Sequence, residues 1–159
     1  QERLVVGTSR GMRVVGLDRR DIDDIYEIRA RVEGLAARRA AERANGEQLE
    51  QLKHILDMQE FFTLKEDSAS IIDADNRFHD MIYRISGSLV LYDTLSPLHR
   101  KIVKYRRVSV GDSARARESF AEHKAIYEAI AGHDPDRAEE VLLRHTVNAR
   151  NSIMSQEEN

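Results

Sequence analysis

After Leu17 the chain places apolar residues at three- and four-residue steps almost without interruption, the period of an amphipathic α-helix. Ile22, Ile25, Ile28, Val32, Leu35, Ala36 and Ala40 predict a first helix from Asp21 to Ala44, with Asn45-Gly46 as its stop signal. Leu49, Leu52, Ile55, Leu56 and Met58 predict a second helix from Glu47 to Leu64. Ile71, Phe78, Ile82 and Ile85 mark a third from Ser68 to Ile85, and Ser86-Gly87-Ser88 breaks it. A fourth is expected from Leu89 to Val108, kinked by Pro97. Asp112 caps a fifth, which carries Ala116, Phe120, Tyr127 and Ile130 as far as Ala131. Gly132-His133-Asp134-Pro135 reads as a stop and restart: Gly closes one helix, Asp caps the next and Pro takes its first position. Ala138, Val141, Leu142, Ala149 and Ile153 then predict a sixth helix. The stretch from Leu4 to Gly16 differs, with two short β-prone runs around a Gly-containing turn, the pattern of a hairpin. The tail from Gln156 to Asn159 is expected to be frayed and solvated. The fold class is therefore all-α, with six helices behind a short β-hairpin.

Four residues break the apolar stripes. Asp75 and His79 lie one turn apart on the inner face of the third helix, His123 on that of the fifth and His145 on that of the sixth. A carboxylate and three imidazoles left unpaired in a core would cost several kcal/mol or more, and a divalent cation would remove that cost for all four. Alone, Asp75 and His79 read as a hydrogen-bonded pair, and a single buried histidine reads as a satisfied core residue. Three helices each turning such a residue inward point to a metal site instead. One carboxylate and three imidazoles suit zinc, nickel, manganese or iron(II), with imidazole favouring the later first-row ions, zinc foremost here. In an octahedral shell these donors leave positions open for water or a carboxylate ligand.

Arg29 lies beside the inner stripe of the first helix, next to Ile28 and Val32. Its guanidinium suits a bidentate clamp on a ligand carboxylate, and the competing reading is a helix salt bridge with Glu33. His54, His99 and His133 read as structural or exposed, and Arg106-Arg107 and Arg115 to Arg117 as solvated faces. Tyr83, Tyr105 and Tyr127 suit either a pocket wall or core packing with a wet hydroxyl.

Composition narrows the classes. The chain has 159 residues, enough for one domain with a real core. It has no cysteine, which excludes disulfides and thiolate metal sites. Its formal net charge of −3 gives no support for broad nucleic-acid binding by this stretch alone. No apolar run is long enough to span a bilayer, and the first residues lack signal-peptide architecture, so a cytoplasmic location away from membranes is expected. The missing initiator Met suggests a piece of a longer protein or a processed product. A metal-dependent hydrolytic enzyme is the alternative function, because an open coordination position can activate water. That reading lacks a clear general base on the inner faces, Glu118 and Glu122 being candidates only by their nearness in sequence to His123. The paired Glu-x-x-His motifs of a di-iron bundle are missing.

Several phrases carry a family resemblance. Ile25-Tyr26-Glu27-Ile28-Arg29 with Val32-Glu33 and Leu35-Ala36-Ala37, then Asp75-Asn76-Arg77-Phe78-His79, then Glu122-His123 with Ile126 and Ala129-Ile130, and finally Gly132 to Asp134 with Ala138 and His145 follow one another in order. Together they resemble the C-terminal effector-binding FCD domain of GntR-type bacterial transcriptional regulators, FadR subfamily, in its metal-containing branch. The resemblance covers residues 18–155. Thr8 to Val14 is similar to the end of the wing of a winged helix, so residues 1–17 are expected to be wing remnant and linker, and 156–159 a tail. Ser88 departs from the family, which often has Asn there. The resemblance implies an antiparallel helical bundle in which Asp75, His79, His123 and His145 hold the metal. A small carboxylate effector would complete the coordination, with Arg29 as a second anchor, in a homodimer that reads operator DNA through a preceding winged helix-turn-helix. It implies no catalysis.

Overall fold

The structure, a computed structural model, describes residues 5–8, 11–14 and 16–156. Among these are two strands, β1 (Val5–Thr8) and β2 (Gly11–Val14), and seven helices: α1 (Arg19–Arg43), α2 (Gly46–Leu64), α3 (Ser68–Ile85), α4 (Leu89–Lys101), α5 (Val103–Val110), α6 (Ser113–Ala131) and α7 (Pro135–Gln156). The strands pair antiparallel from Val5 opposite Val14 to Thr8 opposite Gly11. The hairpin's tip and most of the tail expected to fray, residues 157–159, lie outside the described residues.

Local chemistry explains the helix starts. Asp18 and Asp21 form a capping box at α1, with Asp21 N–H donating to Asp18 Oδ1 at 2.8 Å. Asn45 and Gln48 repeat the device at α2. Asn45-Gly46 therefore opens the second helix rather than closing the first in a left-handed turn. Ser88, the departure noted above, caps α4 by accepting from Leu91 N–H at 3.2 Å. At the other junction His133, not Gly132, takes the left-handed conformation (φ 51°), and Asp134 accepts from Arg137 N–H at 3.0 Å.

The expected fourth helix is two helices. Pro97 is accommodated inside α4, and the break falls at Ile102. Fully buried Ile102 packs with Ile22, Ile25, Tyr26 and Ile153, and burying it there turns the chain. Arg106, one helical turn after Ile102, is buried as well, and its N–H donates to Ile102 O at 3.0 Å.

The main core joins α1, α2, α3, α6 and α7 around Leu52, Phe78, Ile82, Ile126, Ile130 and Leu142. Small residues on α1 (Ala37, Ala40, Ala41) let α7 lie close. Gly34 marks the tightest approach, since a Cβ there would stand 3.0 Å from Glu139 Cγ. No described helix is long and apolar enough to cross a membrane. The packing brings the inner faces of α3, α6 and α7 to one point.

Candidate metal centre and ligand cavity

Asp75, His79, His123 and His145 are all buried, and one ligand atom from each lies within 4.8 Å of the others. His123 Nε2 is 3.3 Å from His79 Nε2 and 3.1 Å from His145 Nε2. Asp75 Oδ1 is 3.4 Å from His123 Nε2 and 3.7 Å from His79 Nε2. The ring of Phe78 stacks on that of His123 with centroids 4.4 Å apart, so the Phe of the Asp75-to-His79 motif sets the tilt of a ligand on another helix.

The outer ring nitrogens fix the tautomers. His123 Nδ1 stands 2.7 Å from Gln59 Oε1, an atom that can only accept, so Nδ1 carries the proton. His145 Nδ1 likewise donates to Glu122 Oε2 at 2.6 Å. Arg115 and Asn148 hold the Glu122 carboxylate in turn. Burial pulls the Glu122 carboxyl up, but the bonds from His145 and Arg115 outweigh it and hold the group well below its usual range. His79 Nδ1 is 4.0 Å from Glu33 Oε1 and has no hydrogen-bond partner. Burial, reinforced by the neighbouring rings, holds His79 and His123 well below the ordinary imidazole value. Burial also lowers His145, against the opposing pull of Glu122.

Neutral imidazoles protonated at Nδ1 present bare lone pairs at Nε2. At His123 and His145 two such lone pairs face each other at 3.1 Å with no proton between them. A metal resolves this. Metal–nitrogen bonds of about 2.0–2.1 Å put adjacent donors about 3.0 Å apart at a right angle and about 3.4 Å apart at the tetrahedral angle. The observed 3.1 and 3.3 Å fall in that interval, and the outer acceptors on His123 and His145 are the arrangement that orients ligating histidines. The donor set fits a divalent ion.

Asp75 divides its oxygens. Oδ1 faces the histidines, while Oδ2 accepts from His99 Nε2 at 3.0 Å and contacts the Arg106 guanidinium. Arg106 also donates to Asn76 Oδ1 at 2.9 Å, and burial lowers its pKa to about 10. His99 and Arg106 were expected to be structural or solvated. Both are buried and belong to the site. Arg115, expected on a solvated face, is largely buried against Glu122.

Arg29 takes the salt bridge. Its Nε donates to Glu33 Oε1 at 2.9 Å, and Nη2 reaches Oε2 at 3.4 Å. Tyr83 Oη and Thr146 Oγ1 also donate to Glu33, each at 2.6 Å. Burial would raise Glu33, but Arg29 above all, with the Thr146 hydroxyl, holds its carboxyl down at about 2. Glu33, His79 and His99 form a second buried donor group, yet Glu33 is already saturated by its four donor contacts. Arg29 still lines a cavity of about 40 Å³ together with Tyr26, Gln59, Asp75, His99 and Arg106, room for a few waters. Among the remaining expectations, Tyr83 is core with its hydroxyl on Glu33, and Tyr105 donates to Leu17 O at 2.6 Å. His54 is exposed, and His133 Nδ1 sits 2.7 Å from Ala41 O.

Gln59 carried a readable signal, lying seven residues after Leu52 and four after Ile55 on the buried face of α2. Arg106 carried one too, lying four residues after buried Ile102 and seven after buried His99, but beside Arg107 its charge reads first as a solvated face.

Comparison with known proteins agrees with this architecture. Residues 24–148 match the family described as the FCD domain. The chain is 33% identical over 129 residues to the galactonate operon transcriptional repressor of Escherichia coli, covering 79% of this chain and 55% of that one. It is 30% identical over 125 residues to the HTH-type transcriptional repressor NanR of Cronobacter sakazakii, covering 75% and 46%. The chain thus spans about half the length of these curated relatives. Among solved structures, E. coli McbR/YncC superposes with a TM-score of 0.84 at 20% identity, covering 95% of this chain and 76% of that one. Both curated relatives are named as repressors of transcription. The chain belongs to the FCD family, the effector-binding domain of GntR-type transcriptional regulators.

Proposed function

We propose that this domain senses a small carboxylate through a divalent metal held by Asp75, His79, His123 and His145. The observation that carries the reading is the convergence of three imidazole Nε2 atoms at 3.1 and 3.3 Å in a buried site, two of them with the proton on the outer nitrogen. When bound, the metal supplies a Lewis-acidic centre on which a carboxylate oxygen can complete the coordination, zinc being the first choice and nickel, manganese or iron(II) served by the same donors.

The chain's own residues prepare that encounter. Gln59 and Glu122 hold two rings in the ligating tautomer. His99 and Arg106 occupy Oδ2 of Asp75, leaving Oδ1 to the metal. Arg29 and Arg106 give the cavity a cationic wall suited to a small organic acid. Arg29 serves as a second anchor while remaining paired to Glu33. Galactonate, the acid in one relative's name, is such a carboxylate.

Residues 1–17 read as the end of a wing and a linker, which joins the bundle to a DNA-binding winged helix in the intact regulator. Effector binding changes operator affinity by favouring one arrangement of two such heads in a homodimer, which requires different effector affinity for the two arrangements. Ile28 and Leu35 on α1, and Leu143 and Val147 on α7, which packs against it, are exposed apolar side chains suited to contact a second copy. A cytoplasmic location follows from this role. The test is calorimetric titration of acetate and larger organic acids into zinc-loaded and metal-free protein. Acid binding only to the loaded form supports the reading, and equal binding to both overturns it.

A further inference from the structure

We infer that Gln59 is the residue through which metal and effector sense each other, its amide oxygen positioning His123 and its amide nitrogen recognising an acceptor oxygen of the ligand. The inference rests on the effector reading above. Gln59 is fully buried on α2. Its Oε1 is engaged by His123 Nδ1 at 2.7 Å. The other end, Nε2, carries two N–H donors, is sealed from solvent and has no partner. A buried donor without an acceptor costs about 1–3 kcal/mol, and native structures keep few of them. Gln59 lines the 40 Å³ cavity beside Asp75 and Arg106, and that cavity is where an acceptor can be supplied.

A second observation points the same way. The hydroxyl of Tyr26 on α1 is also buried without a partner and lines the same cavity. The wall therefore combines guanidinium charge with two unsatisfied neutral polar groups. Its chemistry fits an acid that carries further oxygen atoms, so that one oxygen approaches the metal and another accepts from Gln59. One planar amide then couples the two events. A ligand that orders the nitrogen end orders the oxygen end, and with it the tilt of His123. By linkage, metal loading strengthens ligand binding through Gln59 as much as ligand strengthens metal retention.

The test uses the zinc-loaded 159-residue chain, with acetate and glycolate as probes read by calorimetry and zinc content read in parallel. Gln59→Glu keeps an acceptor for His123 Nδ1–H and removes the donor. It should retain zinc at one ion per chain and lose glycolate affinity at least tenfold. Gln59→Leu removes both functions and should lose zinc affinity as well, by about 10–100-fold. Ser119→Asp puts the same charge on the cavity wall but leaves the Gln59 amide in place, and should cost less than Gln59→Glu. In the parent chain glycolate should bind more tightly than acetate. Gln59→Glu binding glycolate like the parent, or Ser119→Asp losing as much, would overturn the role of the amide while leaving the sensor reading intact. Neither probe nor any larger acid binding the parent chain would instead remove the sensor reading itself.

Discussion

His123 and His145 face each other through Nε2 atoms 3.1 Å apart, although each ring has its proton on the opposite nitrogen, given to Gln59 and Glu122. Two bare lone pairs at that distance are a repulsive arrangement in a core, and Asp75 Oδ1 adds a negative oxygen 3.4 Å from one of them. The fold holds them there because helices α3, α6 and α7 are fixed by a continuous apolar core rather than by these side chains.

The metal-free chain should therefore lose stability as pH falls. His79, His99, His123 and His145 have folded pKa values depressed below 6.5, burial being the main cause. The unfolded chain binds more protons below 6.5, so this stability is complete above that pH and declines beneath it. Glu33 adds a separate step: held at about 2 against an ordinary 4.5, its contribution is present above 4.5 and lost as pH falls towards 2. Thermal melts of chelator-treated protein from about pH 8 to pH 5 should decline below 6.5. A flat profile would show that the buried histidines are not neutral.

Removing Glu33 should be severe. Glu33→Ala leaves Arg29 buried without its counterion and Tyr83 and Thr146 without an acceptor, a loss of about 3–5 kcal/mol. The double variant Arg29→Met with Glu33→Leu should recover much of it, because removing both charges removes the buried imbalance. Urea melts of the two proteins measure this. Equal destabilisation would show that the pair is not the relevant unit.

Arg106→Gln tests the cationic wall. It removes a guanidinium from Asp75 and the cavity while leaving all four metal donors. Acid affinity should fall about tenfold or more, equivalent to ~1.4 kcal/mol, with zinc content unchanged. Unchanged acid affinity would assign Arg106 to holding Asp75 alone.

The dimer face is open to a direct check. Leu35→Asp on α1 should convert a dimer to a monomer by light scattering, without lowering helix content, since Leu35 is exposed. A parent chain already monomeric at tens of micromolar would contradict the pairing.

Much of this was legible in the sequence where helical period and chemistry coincide. Asp75, His79, His123 and His145 stand where aliphatics belong, and a period of 3.6 brings such positions inward whatever the loops do. The same rule reached Leu52 and Ile55 but passed over Gln59, because a neutral amide on a stripe is a weaker anomaly than a charge. His99 and Arg106 were passed over for another reason. Leu91, Leu95, His99, Ile102 and Arg106 fall at three- and four-residue steps and are all buried, but Pro97 makes the stripe look interrupted before His99, and the Arg106-Arg107 pair reads as a charged outer face. The competition for Arg29 was visible as its four-residue spacing from Glu33. Its outcome depended on Tyr83 and Thr146, 50 and 113 residues from Glu33, a meeting that only the packed helices create.

The most direct measurement is the metal content of the chain, purified, stripped and reloaded with zinc, beside His123→Ala and His145→Ala. The account predicts one ion per chain in the parent, loss of that ion in both variants, and a parent melting temperature about 5–10 °C above the stripped form at a hundredfold excess over Kd. A parent chain that takes up no metal and melts identically in both forms would contradict it.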